Sequence, residues 1–254
     1  MKSRILTCIT AVVLFFFFPL AVPVRLAAQH TNNSGANDTS AKRVVTGISH
    51  NGAINPQTPF PEFDAVIWNN VSGDVLTLTQ RQALKTYIER GGGFVGFHGS
   101  GGDPAYFWDW YVDRLIGARF AGHPMAPQFQ DARVIVEDNS PIGRDLAPGW
   151  DMNDEWYSFK TNPRAGGAHV IATLNEGSYS PKGMGGQDLR MGDHPIAWAK
   201  CIGDGRSFYT AIGHRPESYS EPHVVKLLEQ AITWAAGTGE TRCRAGALID
   251  RGPE

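Results

Sequence analysis

Hydrophobic positions along this chain fall into short runs separated by glycine-rich or polar punctuation. Phe63-Asp64-Ala65-Val66-Ile67-Trp68, ended by Asn69 and Asn70, has the length and composition of a buried strand. Over 80–90 the period changes to that of a helix. Ala83, Leu84, Tyr87 and Ile88 recur on one face, Thr79 and Gln82 stand at capping-box spacing, and Gly91 stops the element. A second apolar run at 93–98 follows, so 63–68, 80–90 and 93–98 predict one βαβ unit with parallel strands and a right-handed crossover. Phe107, Trp110, Tyr111 and Leu115, at i, i+3, i+4 and i+8, predict a second helix with an aromatic stripe. Runs at 133–137, 169–174, 196–201 and 207–212 read as strands. Pro222 to Ala236 predicts an amphipathic helix with Val224, Leu227, Leu228, Ala231 and Trp234 inward and Gly237 at its end, after which 238–254 reads as a flexible tail.

The other end of the chain has a different composition. Lys2 and Arg4 precede an uncharged apolar stretch from Ile5 to Val24, with small residues at Ala27 and Ala28. Residues 1–28 therefore predict an export signal, or a membrane anchor if it is not cleaved. Residues 29–42 are small and polar, the composition of a disordered leader. One domain of ordinary size, 43–237, remains, and it is expected to work outside the cytoplasm, in a periplasm or secreted. Losing Lys2, Arg4 and Arg25 leaves 20 bases against 25 acids, a formal charge of −5. That balance, without a basic stripe, argues against a nucleic-acid partner. Cys201 ends an apolar strand and reads as a packing residue, while Cys243 falls in the tail. Neither a disulfide framework nor a thiol nucleophile is expected.

Candidate chemistry begins at Gly91 to Asp103, GGGFVGFHGSGGD, where a short apolar strand delivers His98 into a second glycine cluster. Nucleophile elbows use this strand-then-turn design, with His98 at the apex. A rival frame puts Ser100 there, since His98-Gly99-Ser100-Gly101-Gly102 misses G-x-S-x-G only at its first position. Other histidines also sit in glycine- or proline-bounded loops: His123 before Pro124, His194 before Pro195, and His214 after the run ending at Ile212. Asp154-Glu155-Trp156-Tyr157 adds two carboxylates. Strand ends of a parallel sheet converge on one crevice, so these residues are expected to meet there. Imidazoles with a carboxylate serve either a divalent metal such as zinc or manganese or general acid–base work. His98, His123, Glu155, His194 and His214 are the metal candidates. None shows helical ligand spacing, so a metal would be assembled from separate loops.

Taken in order, the motifs resemble the trehalose-utilisation ThuA-like family. They are FDAVIW, LTQRQ, GGGFVGFH, GARFAGHP, DEWYSF with NPR after it, MGGQDLRMGDHPIAW, and GRSFYTAIGH followed by PESY. The resemblance implies an α/β fold of the class I glutamine-amidotransferase type, a flavodoxin-like three-layer αβα sandwich with a mainly parallel sheet and no amidotransferase cysteine. It also implies sugar catabolism, with hydrolysis of 3-keto-glycosides supplied by a partner sugar dehydrogenase. His98, Glu155 and His214 are then the expected catalytic residues, and His123, Asp154, Trp156, His194 and Arg215 the expected substrate contacts. A non-catalytic carbohydrate-binding or assembly module and a Ser100 hydrolase are the alternatives. Two departures stand out. The first strand and helix of the fold look missing or shortened, which predicts self-association through 43–48 and 63–68, unless Val44 to Ile48 itself forms the edge strand. Gly99-Ser100-Gly101-Gly102 also replaces the small alanines typical after the histidine, loosening the turn.

Overall fold

The computed structural model describes residues 44–48, 60–137, 140–237, 241–244 and 247–250. The segments read as export signal and leader lie outside these residues. Among the described residues no helix is long and apolar enough to cross a membrane.

Four strands form the parallel half of the sheet: β1 (Val44–Ile48), β2 (Ala65–Asn69), β3 (Gly93–Phe97) and, further along the chain, a strand at Gly205–Thr210 that pairs with β3. Val44–Ile48 is thus present as the edge strand beside β2, and the first strand of the fold is not missing. Helix α1 (Leu78–Glu89) links β2 to β3. Its capping box is Thr77 with Gln80, two residues before the predicted pair, and in this register Arg81 also donates to the Leu76 carbonyl. The predicted second helix is a single π-helical segment at Trp110–Ile116, with Phe107 exposed ahead of it.

The rest of the sheet is antiparallel. After a short strand β4 (Phe120–Gly122) come β5 (Phe129–Val136), β6 (Gly149–Glu155), the two-residue β7 (Ser158–Phe159) that pairs with β4, β8 (His169–Leu174), β9 (Pro195–Ile202) and β10 (Gly205–Thr210). The eight-stranded order is β1-β2-β3-β10-β9-β8-β5-β6. The expectation of a mainly parallel three-layer sandwich is therefore corrected: the fold is α/β, but the sheet is mixed. The reason is local. Only Gly203 and Asp204 join β9 to β10, and so short a link permits nothing but an antiparallel hairpin. Helix α2 (Pro222–Ala235) packs on β3 and β10, with Val224, Leu227, Leu228, Ala231 and Trp234 buried as the periodicity predicts. Its last carbonyls lie so close to Gly93 that a Cβ there would stand 2.2 Å from the Ala235 oxygen.

The described part of the tail, 241–244 and 247–250, is structured. β11 (Thr241–Arg244) and β12 (Ala247–Asp250) form a hairpin, and Cys243 is buried and disulfide-bonded to Cys201 on β9. Cys201 is thus a cross-link as well as a packing residue.

One feature of the sheet decides where the site lies. β3 and β6 are five strand steps apart, which in a flat sheet is about 24 Å. Yet side chains at their C-terminal ends touch. The sheet curls, because β5 pairs with β8 only over Val134–Val136 but with β6 over Phe129–Ile135, leaving the free part of that ribbon to fold back over the parallel strands.

Candidate functional site

His98 is the first residue after β3 and has φ +41°, a left-handed conformation that a non-glycine residue holds only when its surroundings over-determine it. The surroundings are Asn70 and Tyr209. The Asn70 side chain accepts from the Gly99 amide at 2.8 Å and donates to the Gly213 carbonyl at 3.0 Å, while the Tyr209 hydroxyl donates to the His98 carbonyl at 2.7 Å. The elbow predicted from the glycine pattern is there, with a histidine at its apex.

His98 Nδ1 lies 2.7 Å from the Ala211 carbonyl, an obligate acceptor, so Nδ1 carries a hydrogen and, in the neutral ring, Nε2 is the nitrogen left with the lone pair. Nε2 faces Glu155 Oε2 at 3.1 Å and His214 Nδ1 at 3.2 Å, and His214 Nδ1 is 3.2 Å from the same carboxylate oxygen. Three chain segments far apart in sequence thus close a triangle. Glu155 comes from the end of β6, a strand running in the same direction as β3 and β10, and the curl brings that end home. On its other oxygen Glu155 meets His123 Nδ1 at 3.2 Å and the amide of Gln128. Burial pushes the Glu155 carboxyl up, but hydrogen bonds with His214, His98 and Gln128 together outweigh it and hold the group well below the ordinary carboxylate range. The hydrogen bond to Glu155 in turn raises His214, against the opposing effect of its burial.

His98 and Glu155 are buried; His214 is the open member, with 40% of its side chain exposed. Phe129 lies beside His214, their ring centroids 5.0 Å apart, and the Arg215 guanidinium sits over Phe129 at 5.7 Å. Tyr157 covers the inner side, its ring 3.9 Å from that of His98, and burial raises its hydroxyl far above the usual phenol value, so it is a permanent donor.

His98, His123, Glu155, His214 and Arg215 therefore share one mouth at the C-terminal edge of the parallel strands. Asp154, Trp156 and His194 do not line it. Asp154 is fully buried and accepts from the amides of Glu155, Gly213, His214 and Arg215 and from the Ser218 hydroxyl, so it anchors the His214 turn. Trp156 is also fully buried and donates to the Gln130 carbonyl. His194 lies one layer behind the site, with Nε2 on the Tyr157 carbonyl at 2.9 Å and Nδ1 on Glu176 at 2.8 Å. Its loop is fixed by Asp193, which accepts from Asn162 and Arg164, so the NPR and GDHP motifs meet as a brace. As a metal candidate and as a substrate contact His194 is thus corrected to a support for Tyr157.

Ser100 is no nucleophile either. Its hydroxyl is buried, donates to the Trp68 carbonyl at 2.9 Å and accepts from the Val71 amide at 3.2 Å. Ser100→Ala is expected to cost about 1–2 kcal/mol by stranding a buried amide, read as a lower unfolding midpoint. A fluorophosphonate is expected to label neither protein, and labelling lost with the hydroxyl would reverse the assignment. Sequence reasoning missed Tyr157, Gln128, Phe129 and Asn70. Only Asn70, ending a strand in a polar pair, carried a signal.

Comparison with known proteins agrees with the fold. No curated protein matches. A ThuA-like protein from Bacteroides uniformis ATCC 8492 superposes with a TM-score of 0.63 at 23% identity, covering 80% of this chain and 95% of its own. One from Parabacteroides merdae ATCC 43184 gives 0.53 at 16% identity, covering 73% of each chain. The family model for ThuA, trehalose utilisation, matches residues 38–235, the span that contains every residue of the mouth. On that match, the chain belongs to the ThuA family.

Proposed function

We propose that this chain is an exported sugar-catabolic enzyme that cleaves 3-keto-glycosides by elimination and hydration. The observation that carries the reading is the mouth itself, where four ionisable side chains from four chain segments converge beside an exposed aromatic ring and an arginine. A ketone at C3 acidifies the C2 hydrogen. His123 is placed to take it: Nδ1 faces only acceptors, the Pro124 carbonyl and Glu155, so Nε2 keeps its lone pair, and among the described residues it has no partner. The C2–H electrons become the enediolate, whose charge is assigned to the Arg215 guanidinium at the same mouth. The C1–O bond then breaks, its pair leaving with the aglycone oxygen, which takes up the proton that His123 removed. Water adds across the new C1–C2 double bond and restores the keto-sugar. The sum is hydrolysis. Phe129 and Arg215 are assigned to the sugar ring and its hydroxyls.

Such a substrate requires an enzyme that oxidises the C3 hydroxyl, so a sugar dehydrogenase is the expected functional partner. Export is supported by the Cys201–Cys243 bridge, since disulfides persist in oxidising compartments. The parallel half β1-β2-β3-β10 we read as the flavodoxin-like core. The decisive experiment is turnover of a panel of 3-keto-glucosides by the signal-free protein. His123→Gln is expected to lower kcat roughly 100-fold with the fold intact. A folded wild-type protein that turns over none of the panel sinks the reading.

A further inference from the structure

The triangle poses a problem of hydrogen-bond accounting. In the neutral ring His98 Nε2 is an acceptor once Nδ1 is committed to Ala211, Glu155 Oε2 is a carboxyl oxygen with no donor of its own facing the pair, and His214 Nδ1 faces both. With His214 in the tautomer that leaves Nδ1 bare, three lone pairs aimed at one point repel unless a cation sits among them. Among the described residues no Lys or Arg reaches the point; the cationic Arg215 is turned to Phe129, Asn153 and Glu217. One shared proton can satisfy only one pair at a time. A metal ion satisfies all three.

The dimensions agree. The three contacts are 3.1, 3.2 and 3.2 Å, and the donor atoms are two imidazole nitrogens and one carboxylate oxygen. An ion at ordinary Zn–N and Zn–O distances of about 2.1 Å from each would see the pairs at about 100°, between octahedral and tetrahedral values. Two imidazoles exclude a preference for calcium or magnesium and favour a first-row transition ion. Neighbouring groups hold the donors in place: the Ala211 carbonyl fixes the His98 tautomer, Gln128 and His123 hold the other Glu155 oxygen, and Asp154 clamps the backbone of His214.

We propose that His98 Nε2, Glu155 Oε2 and His214 Nδ1 hold one divalent transition-metal ion, zinc or manganese, on one side, leaving its other positions open toward the mouth. There it would polarise a ketone or enediolate oxygen of the substrate, with His123 left free as the base. The site uses the same side chains as the functional reading, but does not depend on its substrate.

The test begins with the signal-free chain purified without a polyhistidine tag or chelator. Elemental analysis is expected to find about one zinc or manganese per chain, and dialysis against a chelator followed by Zn2+ titration to restore one saturable site. Glu155→Gln is expected to weaken Zn2+ binding at least 100-fold, while His169→Gln, at the exposed first position of the otherwise buried β8, leaves it unchanged. Should the Glu155 variant fail to fold, X-ray absorption of the zinc-loaded wild type decides alone, with two imidazole ligands expected. No saturable Zn2+, Mn2+ or Co2+ binding tighter than about 100 μM, or zinc without imidazole ligands, overturns the proposal. One bound ion with no turnover of keto-glycosides would sink the substrate and leave the metal site standing; turnover untouched by chelation with no ion bound would do the reverse.

Discussion

Asp154→Asn is expected to lower the unfolding midpoint by on the order of 10 °C and to weaken the site at the same time. Asp154 is fully buried and its two oxygens receive four backbone amides and the Ser218 hydroxyl. An isosteric amide keeps the volume and removes both the charge and one acceptor. At least the Gly213 amide or the Ser218 hydroxyl then meets an NH2 group, and the remaining donors lose a charge-assisted partner worth about 1.5–3 kcal/mol each in place. Breaking one side of a buried charged network costs about 3–5 kcal/mol, and a domain of this size shifts about 2–4 °C per kcal/mol. The damage is directional, because residues 213–215 are the ones released. His214 would lose its place against Glu155, so Zn2+ affinity and keto-glycoside turnover should each fall about 10- to 100-fold even in protein that remains folded. Calorimetry together with Zn2+ titration below the melting range reads both effects. A variant that melts within about 2 °C of the wild type would show that Asp154 does not anchor the His214 turn.

The central unit of the fold was written plainly in the sequence, and the reason is that its signals are local. Strand, helix and strand over 65–97 follow from one apolar run, one amphipathic period and one glycine stop, and α2 follows from five inward side chains. The elbow at His98 was equally local, since glycines flank the only polar residue at the end of a buried strand. β6 was not. Gly149–Glu155 alternates buried and exposed positions, but its residues are Trp, Met, Asp, Asn and Glu, a composition depleted in β-formers, so no run announces it. Missing β6 hides the curl, and the curl is what delivers Glu155 to His98. Histidine-before-proline motifs misled in the same way. His123 and His194 look alike in sequence, yet one reaches the mouth while the other supports the backbone of Tyr157 from behind; the difference lies in Glu176, which comes from a loop the spacing does not connect to either. In the tail, glycine and charge suggested fraying, and a cross-strand pairing with a disulfide overrode both.

That disulfide gives a second large expected effect, separable from the first. Cys201 and Cys243 close a loop with a sequence separation of 42, for which the chain-entropy model gives about 4 kcal/mol of stabilisation. Reduction, or replacement of both cysteines by serine, should therefore lower the unfolding midpoint by roughly 10 °C. The site should not notice. Cys201 lies near the C-terminal end of β9, and because β9 runs antiparallel to β10 that end is at the opposite edge of the sheet from His98 and His214. Well below the melting range, the reduced protein should bind Zn2+ and turn over substrate as the oxidised one does, whereas Asp154→Asn loses stability and site together. Two measurements on the wild type settle it: thiol counting under native and denaturing conditions, expected to find no free thiol from this pair, and melting with and without reductant. Identical midpoints in the two redox forms would mean that the hairpin β11–β12 holds its place without the bridge, and a native protein with two titratable thiols would mean that the bridge does not form.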